Sequence, residues 1–154
     1  MLSESYFTVP FKMGKVVVHT SADGSVTAID FDLEDIYEEK RTTLKLGDDI
    51  RRYFEGNEVT WELEPDLTGV TDFKRRVYDI VARIPYGQMS TYGEIARDMG
   101  CSGGGRAVGQ AMAGNRFSLV VPCHRVISRE RAIGGFSSGI DLKRYLLRLE
   151  GIDL

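Results

Sequence analysis

Hydrophobic and polar residues alternate along the first third of the chain, which is typical of β-strands with one buried face. Asp23-Gly24 interrupts this pattern and is a strong hairpin signal. A short amphipathic helix is predicted to follow over 48–55. We therefore expect a small antiparallel sheet with one helix, and the strands are predicted over residues 6–11, 15–20 and 26–31.

From residue 72 onward the hydrophobic pattern takes the period of helices. The first helix begins at Asp72 and ends before Pro85, because proline lacks the amide that a helix interior needs. Thr91-x-x-Glu94 forms a capping box for a second helix, and a glycine-rich turn leads into a third over 105–113. Helix, short turn and helix in this order are typical of a helix-turn-helix motif. A last amphipathic helix is predicted over 141–150, with Leu142, Leu146 and Leu149 facing inward.

These elements predict an α+β protein with two parts. Residues 1–66 form an antiparallel-sheet lobe with a helix, and residues 67–154 form an α-helical domain whose helix-turn-helix makes it similar to a winged helix. A chain of 154 residues is long enough for two small lobes, and its 42% hydrophobic and 28% charged residues are typical of globular proteins.

Composition also narrows the cellular setting. Cys101 and Cys123 are too few for a disulfide scaffold and fit a reducing cytoplasm. No apolar run has the roughly 20 residues of a membrane span, and residues 1–10 lack the pattern of a secretory signal. We expect a cytoplasmic protein that does not enter membranes.

The net charge of −3 hides an asymmetry along the chain. Residues 1–66 hold 15 acidic and 7 basic side chains, a net charge of −8, whereas residues 67–154 hold 8 and 13, a net charge of +5. Eleven of those 13 basic residues are arginine, the side chain best suited to forked contacts with phosphate. The second part is therefore a candidate for binding nucleic acid.

The helix over 105–113 carries unusually small side chains. Gly109 weakens a helix, so the narrow surface must have a compensating use. From the pattern alone, close packing against another helix is the favoured explanation. The alternative is insertion into the DNA minor groove, which is only about 6 Å wide.

A Cys123-His124 step lies within an apolar segment, residues 119–127. An adjacent imidazole and Arg125 can lower the pKa of a thiol or accept its proton, and a thiolate is a soft nucleophile suited to an alkyl carbon. The alternative is that Cys123 is a small core residue. Zinc is not expected, because the two cysteines and two histidines do not have the spacing of a zinc site.

Residues 72–151 resemble the O6-alkylguanine-DNA alkyltransferase family, which repairs DNA by direct reversal. The most specific block is Pro122-Cys-His-Arg-Val126 with Asn115 eight residues before the cysteine. The other matching residues, in the same order as in the family, are Ile84-Pro-Tyr-Gly87, Thr91-Tyr92, Arg106-Ala-Val-Gly109, Ala111-Met112, Gly114, Gly134, Ser137, Gly139, Leu146-Leu147 and Glu150-Gly151.

The resemblance implies a reaction and its catalytic residues. The family turns the damaged base out of the duplex and transfers its alkyl group to a cysteine, which is consumed in one turnover. By this resemblance Cys123 accepts the alkyl group and His124, linked through a water molecule to Glu150, takes the thiol proton. Tyr92 crowds the 3′ phosphate and donates to the guanine ring, and Asn115 braces the turn that presents the cysteine.

The resemblance also implies a DNA surface and a base pocket. Arg106 fills the space that the extruded base leaves, which favours minor-groove insertion of the narrow helix. The residues expected to contact DNA are Thr91, Tyr92, Arg106, Gly109, Gln110 and Ala113. The pocket residues are Met112, Val126, Phe136, Ser137 and Ser138, with carbonyls of Cys123 and Val126 and the Ser137 amide facing guanine.

The partner implied is double-stranded DNA with O6-alkylguanine, and O4-alkylthymine is a second substrate. The resemblance implies a monomer that needs no cofactor and no metal. Phe136 and Ser138 stand where many members carry Tyr and Gly, which changes the lip of the pocket. Two other functions compete: a lesion-binding alkyltransferase-like protein, which has Trp at the cysteine position, and a winged-helix transcription factor, which needs more base-contacting side chains than Arg106 and Gln110.

Overall fold

The computed structural model of this chain describes residues 5–129 and 132–154. They divide into two compact units: residues up to Thr68 together with Arg116–Ser118, and Gly69–Asn115 together with Leu119–Leu154. The sequence pattern placed the division at residues 66 and 67, and it did not assign Arg116–Ser118 to the first unit. These three residues join it through backbone pairing, because Ile29 N donates to Arg116 O at 2.7 Å and Ser118 N donates to Ile29 O at 3.2 Å.

The first unit is a three-stranded antiparallel sheet with one helix. Its strands follow the chain in order, β1 over Ser5–Phe11, β2 over Gly14–Thr20 and β3 over Val26–Asp32. Helix α1 spans Lys45–Phe54, so it begins three residues before the predicted start. The largest buried side chains of this unit are Ile29, Ile50, Tyr53 and Phe117, each at most 1% exposed.

The second unit holds four helices around a short parallel bridge. Helix α2 spans Asp72–Ala82, α3 spans Tyr92–Asp98, α4 spans Gly105–Ala113 and α5 spans Ile140–Leu149. The two-residue strands β4, Ser90–Thr91, and β5, Val126–Ile127, pair in parallel. The expected α+β class with a helix-turn-helix in α3 and α4 is confirmed. The bridge was not predicted, because two residues are too few to show a period.

Local sequence signals account for the helix ends. The capping box is present: Thr91 Oγ1 accepts from Glu94 N, and a Glu94 carboxylate oxygen accepts from Thr91 N, both at 3.1 Å. Thr71 Oγ1 caps α2 in the same way by accepting from Lys74 N. Such caps satisfy amides that lack a partner in the first turn of a helix. They set the start of α3 one residue after Thr91.

Helix α5 buries Leu142 and Leu146 as predicted, and its buried face also includes positions that the leucine pattern did not indicate. Leu142, Lys143, Leu146 and Leu147 are buried, whereas Leu149 is half-buried. The prediction is thus confirmed for Leu142 and Leu146, while Leu149 is only partly buried and Lys143 and Leu147 were not predicted to face inward. Among the helices in residues 5–129 and 132–154, none is long and apolar enough to cross a membrane.

Candidate active site

Cys123 opens a single 3-10 turn, Cys123–Arg125, and its side chain is buried at 7% exposure. Asn115 Nδ2 donates to Val121 O at 2.9 Å, which fastens the segment that leads into the turn. Burial raises the pKa of the Cys123 thiol, and this outweighs the lowering by the Asn115 side chain and by the charge of Lys143. The thiol is therefore protonated at neutral pH.

Behind the cysteine lies a buried cluster of three charged or titratable side chains. His124 Nε2 is 2.6 Å from Glu150 Oε2, and Arg125 contacts the same carboxylate at both ends, Nε to Oε1 at 2.8 Å and Nη2 to Oε2 at 3.1 Å. The expected water between His124 and Glu150 is thus replaced by a direct hydrogen bond. The side chains meet directly because Glu150 is the C-cap residue that follows α5, which brings the carboxylate to the turn of the cysteine.

Two further hydrogen bonds complete the shell of this cluster. Glu150 Oε1 accepts from Gly87 N at 3.0 Å, and Arg125 Nη1 donates to Ile84 O at 2.8 Å. Both partners belong to the segment after α2. The buried ion pair therefore has the additional hydrogen bonds that such a pair needs to offset its loss of hydration.

His124 is fully buried, and burial lowers its pKa below the usual 6.5. The Glu150 carboxylate acts in the opposite direction, but it shares its negative charge with Arg125. We conclude that burial dominates and that His124 is a neutral imidazole in the free protein. With Nε2–H donating to Glu150, Nδ1 is the nitrogen of this tautomer that can accept a proton.

A cavity opens beside the sulfur of Cys123, and α3, α4 and the loop over 132–139 contribute to its lining. Nine of the predicted residues line it: Thr91, Tyr92, Arg106, Gly109, Met112, Ala113, Cys123, Phe136 and Ser137. Within the described part of the chain, the cavity lining does not include six others: Gln110, Val126, Ser138, His124, Glu150 and Asn115.

Tyr92 is the first residue of α3 and lies half-buried in this cavity. Burial raises the pKa of its hydroxyl above 10, and the negative charge of a Cys123 thiolate adds to the shift. The hydroxyl therefore remains protonated and is a hydrogen-bond donor. Its oxygen lies 3.5 Å from Gly135 O in the loop over 132–139.

Helix α4 buries one face and exposes the other. Val108, Ala111 and Met112 are buried, whereas Arg106 and Ala113 are exposed. A Cβ added at Gly109 would meet only the Tyr92 ring at 3.9 Å, an ordinary contact. Close helix packing therefore does not require glycine at this position, so the packing explanation of the narrow face loses its support here.

Several residues of this region were not predicted from the sequence, and three of them are cations. Lys143 from α5 is 0% exposed, and Arg97 and Arg129 line the cavity. The detectable signal for Lys143 was its position on the apolar stripe of α5, between Leu142 and Leu146. The two arginines carried no such signal, because a charged residue on an exposed face is ordinary.

Residues 72–152 match the family model described as the DNA-binding domain of 6-O-methylguanine DNA methyltransferase. This range covers more than half of the chain. The chain belongs to this family. The resemblance stated from the Pro122–Val126 block and the residues around it is confirmed.

Two methylated-DNA–protein-cysteine methyltransferases show how far the family similarity extends. The chain is 44% identical to that of Shigella flexneri over 106 residues, which are 69% of this chain and 62% of the relative. It is 39% identical to that of Mycobacterium bovis over 153 residues, 94% of this chain and 91% of the relative. The match thus spans less than two thirds of the Shigella protein but nearly all of the mycobacterial one.

A solved structure of the family has the same fold. The crystal structure of Mycobacterium tuberculosis OGT in complex with DNA superposes with a TM-score of 0.81 at 35% identity, covering 94% of this chain and 91% of that chain. The likeness includes the sheet unit as well as the helical unit, because so little of either chain lies outside the match.

Proposed function

We propose that this protein repairs DNA by moving the alkyl group of O6-alkylguanine, and of O4-alkylthymine, onto Cys123. The observation that carries the proposal is a thiol at the wall of a cavity with a neutral, buried histidine beside it and the Glu150–Arg125 pair behind that histidine. A thiol that serves only as a core residue needs no such cluster.

In this reaction the sulfur of Cys123 attacks the alkyl carbon, the new S–C bond forms and the O6–C bond breaks. His124 accepts the thiol proton, and Glu150 stabilises the imidazolium that results. The electron pair of the O6–C bond goes to the base, which takes a proton from the Tyr92 hydroxyl and leaves as ordinary guanine. The proton on His124 then restores Tyr92 through solvent, so charge and atoms balance.

The base reaches the sulfur only after it leaves the stack, because an alkyl carbon inside a duplex cannot be attacked in line. We infer that Arg106, exposed in the first turn of α4, occupies the vacated space. The narrow surface of Gly109 and Ala113, with Gln110 and Thr91 beside it, then faces the minor groove. Tyr92 crowds the phosphate and turns the nucleotide toward the cavity.

Backbone groups would recognise the extruded guanine. The carbonyl of Cys123 accepts from Val126 N, and the carbonyl of Val126 accepts from Lys143 Nζ at 2.6 Å. Each carbonyl oxygen has a second lone pair for the exocyclic amine of guanine. The Ser137 amide is the proposed donor to O6, Met112 and Phe136 form apolar walls, and Ser138 shapes the lip.

The thioether product has no base that could release it, so we propose a single turnover in which the protein is consumed. The reaction needs no cofactor or metal, and a monomer suffices for it. DNA free of lesions is bound mainly through phosphates, since the search must sample every sequence. We propose a cytoplasmic location for this activity.

Intact mass after incubation with a duplex that carries one O6-methylguanine tests the proposal. We expect one added methyl group per protein, located on Cys123 by peptide mapping, with the reaction ending at one equivalent. Cys123→Ala should remove the transfer, and Cys101→Ser, which changes the other and exposed cysteine, should leave it unchanged.

Three other outcomes of this experiment would contradict part or all of the proposed function. Tight lesion binding without transfer contradicts the proposed reaction and favours a recognition protein that recruits other repair. Transfer to Cys101 contradicts the assignment of the acceptor. Neither binding nor transfer contradicts the whole repair function and returns the winged-helix transcription factor as the better explanation.

A further inference from the structure

Helix α5 carries a lysine on its buried face. Lys143 is 0% exposed, and removal from water lowers the pKa of its ammonium from 10.5 to about 8. Burying a charged group costs free energy unless hydrogen bonds replace its hydration. An apolar residue such as leucine would suit the buried face that carries Leu142 and Leu146. The role of a lysine at this position is therefore sought in the contacts of its ammonium.

The ammonium joins two backbone segments, the one that carries Cys123 and the loop over 132–139, and each contributes residues to the cavity lining. Lys143 Nζ donates to Val126 O at 2.6 Å and to Gly135 O at 3.0 Å. Val126 directly follows the turn of Cys123, and Gly135 directly precedes Phe136. One side chain therefore holds the loop over 132–139 to the segment that presents the cysteine.

Two aromatic rings of the cavity flank the same cation. Lys143 Nζ lies 6.0 Å from the ring centroid of Tyr92 and 6.0 Å from that of Phe136. At this distance a cation is attracted to the face of an aromatic ring. The rings that line the base pocket are thus held by the same group that ties the backbone.

In the part of the chain that the structure describes, the titratable groups found around the ammonium are Cys123, His124 and Tyr92. Its charge acts on the Cys123 thiol and on His124, and the Tyr92 ring faces it. The loop over 132–139 contains only Ala, Ile, Gly, Phe and Ser, so it carries no titratable side chain. Among these neighbours, the Cys123 thiolate is the anion that a positive charge at Lys143 favours.

We propose that Lys143 is a positioning residue for alkyl transfer: its ammonium fastens the loop of Phe136 and Ser137 to the acceptor turn and stabilises the Cys123 thiolate. The part of this inference that concerns methyl transfer from DNA rests on the proposed function. Lys143 acts through the loop and through the sulfur, and it does not contact the alkyl group. A purely structural lysine would support the fold without affecting the thiol.

Lys143→Met and Lys143→Arg, each in the Cys101→Ser background, test this role. The matched control is Arg144→Met, which removes a positive charge and a hydrogen bond to Leu154 O from the neighbouring position of α5. Three quantities are measured on folded protein: the single-turnover rate on O6-methylguanine DNA, the Kd for that DNA, and the pH profile of Cys123 alkylation by iodoacetamide without DNA.

We expect Lys143→Met to slow methyl transfer about tenfold or more, because a loop displaced by about 1 Å costs that much or more in a positioned reaction. The Kd should change less than threefold, and the alkylation midpoint should move to higher pH. Lys143→Arg keeps the charge and the hydrogen-bond donors, so it should recover most of the transfer rate and reverse most of the shift in the alkylation midpoint. Arg144→Met should match the parent.

The inference is overturned if folded Lys143→Met transfers methyl at the parent rate, or if its alkylation midpoint is that of the parent. Should Lys143→Met fail to fold, Lys143→Gln decides the question by the same two quantities, since it keeps a donor but loses the charge. A parent protein that leaves O6-methylguanine intact contradicts the proposed function instead, and the iodoacetamide profile still tests Lys143.

Discussion

At the scale of single residues, the cluster of His124, Arg125 and Glu150 shows how one carboxylate can pair with a cation and hydrogen-bond a neutral imidazole. Arg125 contacts both carboxylate oxygens, and His124 contacts one of them at 2.6 Å. Burial lowers the pKa of His124 and keeps it neutral although it touches a carboxylate, and the positive charge of Arg125 acts in the same direction. A neutral histidine is the form that can accept the thiol proton in the proposed reaction.

The lowered pKa of His124 makes folding stability depend on pH. The unfolded chain binds a proton at this imidazole near pH 6.5, and the folded protein does not, so acid favours the unfolded state. The stabilisation is present above pH 6.5 and is lost as pH falls toward the folded pKa. We expect urea unfolding to show a loss of about 1 kcal/mol from this group between pH 7.5 and 5.5.

His124→Gln should reduce this pH dependence by about the same amount. His19→Gln, which changes the other histidine of the chain, is the matched control and should retain it. Equal pH dependence in the wild-type protein and His124→Gln would contradict a neutral, buried His124.

At the scale of elements, α4 contains an interior glycine that makes the helix less stable than alanine would. Gly109 lies in its interior, where glycine is less favourable than alanine by about 1 kcal/mol. The space around it does not demand glycine, since the nearest atoms to an added Cβ are ring carbons of Tyr92 at 3.9 Å. Packing within the described part of the protein therefore gives no reason for glycine at this position.

Gly109→Ala should accordingly stabilise the free protein by about 0.5–1 kcal/mol and raise its Tm. The same substitution should weaken binding to a duplex with O6-methylguanine, because it thickens the surface that we propose enters the minor groove. Thermal unfolding and a binding titration measure the two effects. A destabilised Gly109→Ala would restore the packing explanation, and unchanged DNA affinity would contradict minor-groove insertion.

At the scale of the whole molecule, the second part of the chain carries a net charge of +5 and the first carries −8. Arg97 and Arg129 are exposed at the lining of the cavity, and we propose that they contact phosphates of a bound duplex. Each phosphate that a cation neutralises releases a counterion, so affinity falls with salt. The total charge of −3 does not show that residues 67–154 are positively charged and suited to binding phosphates.

If Arg97 and Arg129 each neutralise one phosphate, raising salt from 50 to 200 mM should weaken DNA binding by about tenfold. The double variant Arg97→Gln with Arg129→Gln should bind more weakly at low salt and lose most of this salt dependence. Arg51→Gln with Arg52→Gln, a pair in α1, is the matched control. Identical slopes of log Kd against log salt in all three proteins would contradict the assignment of these two arginines.

Much of the fold was predictable because its signals are local. The three strands, the Thr91–Glu94 capping box and the helix over 105–113 each follow from neighbouring residues. The bridge of β4 with β5 and the assignment of Arg116–Ser118 to the first unit were not predictable. Both depend on backbone pairing between segments that are distant in the sequence, and neither segment has a period of its own.

The sequence by itself determined the family, the candidate nucleophile and half of the described residues that line the cavity, since a motif such as Pro122–Val126 is written in consecutive residues. Only the tertiary structure decided that Glu150 touches His124 directly, that Arg125 shares that carboxylate, and that Lys143 links Val126 to Gly135. The physical reason is burial. Whether a charge is paired, and how its pKa moves, depends on groups that the folded chain brings together from distant segments.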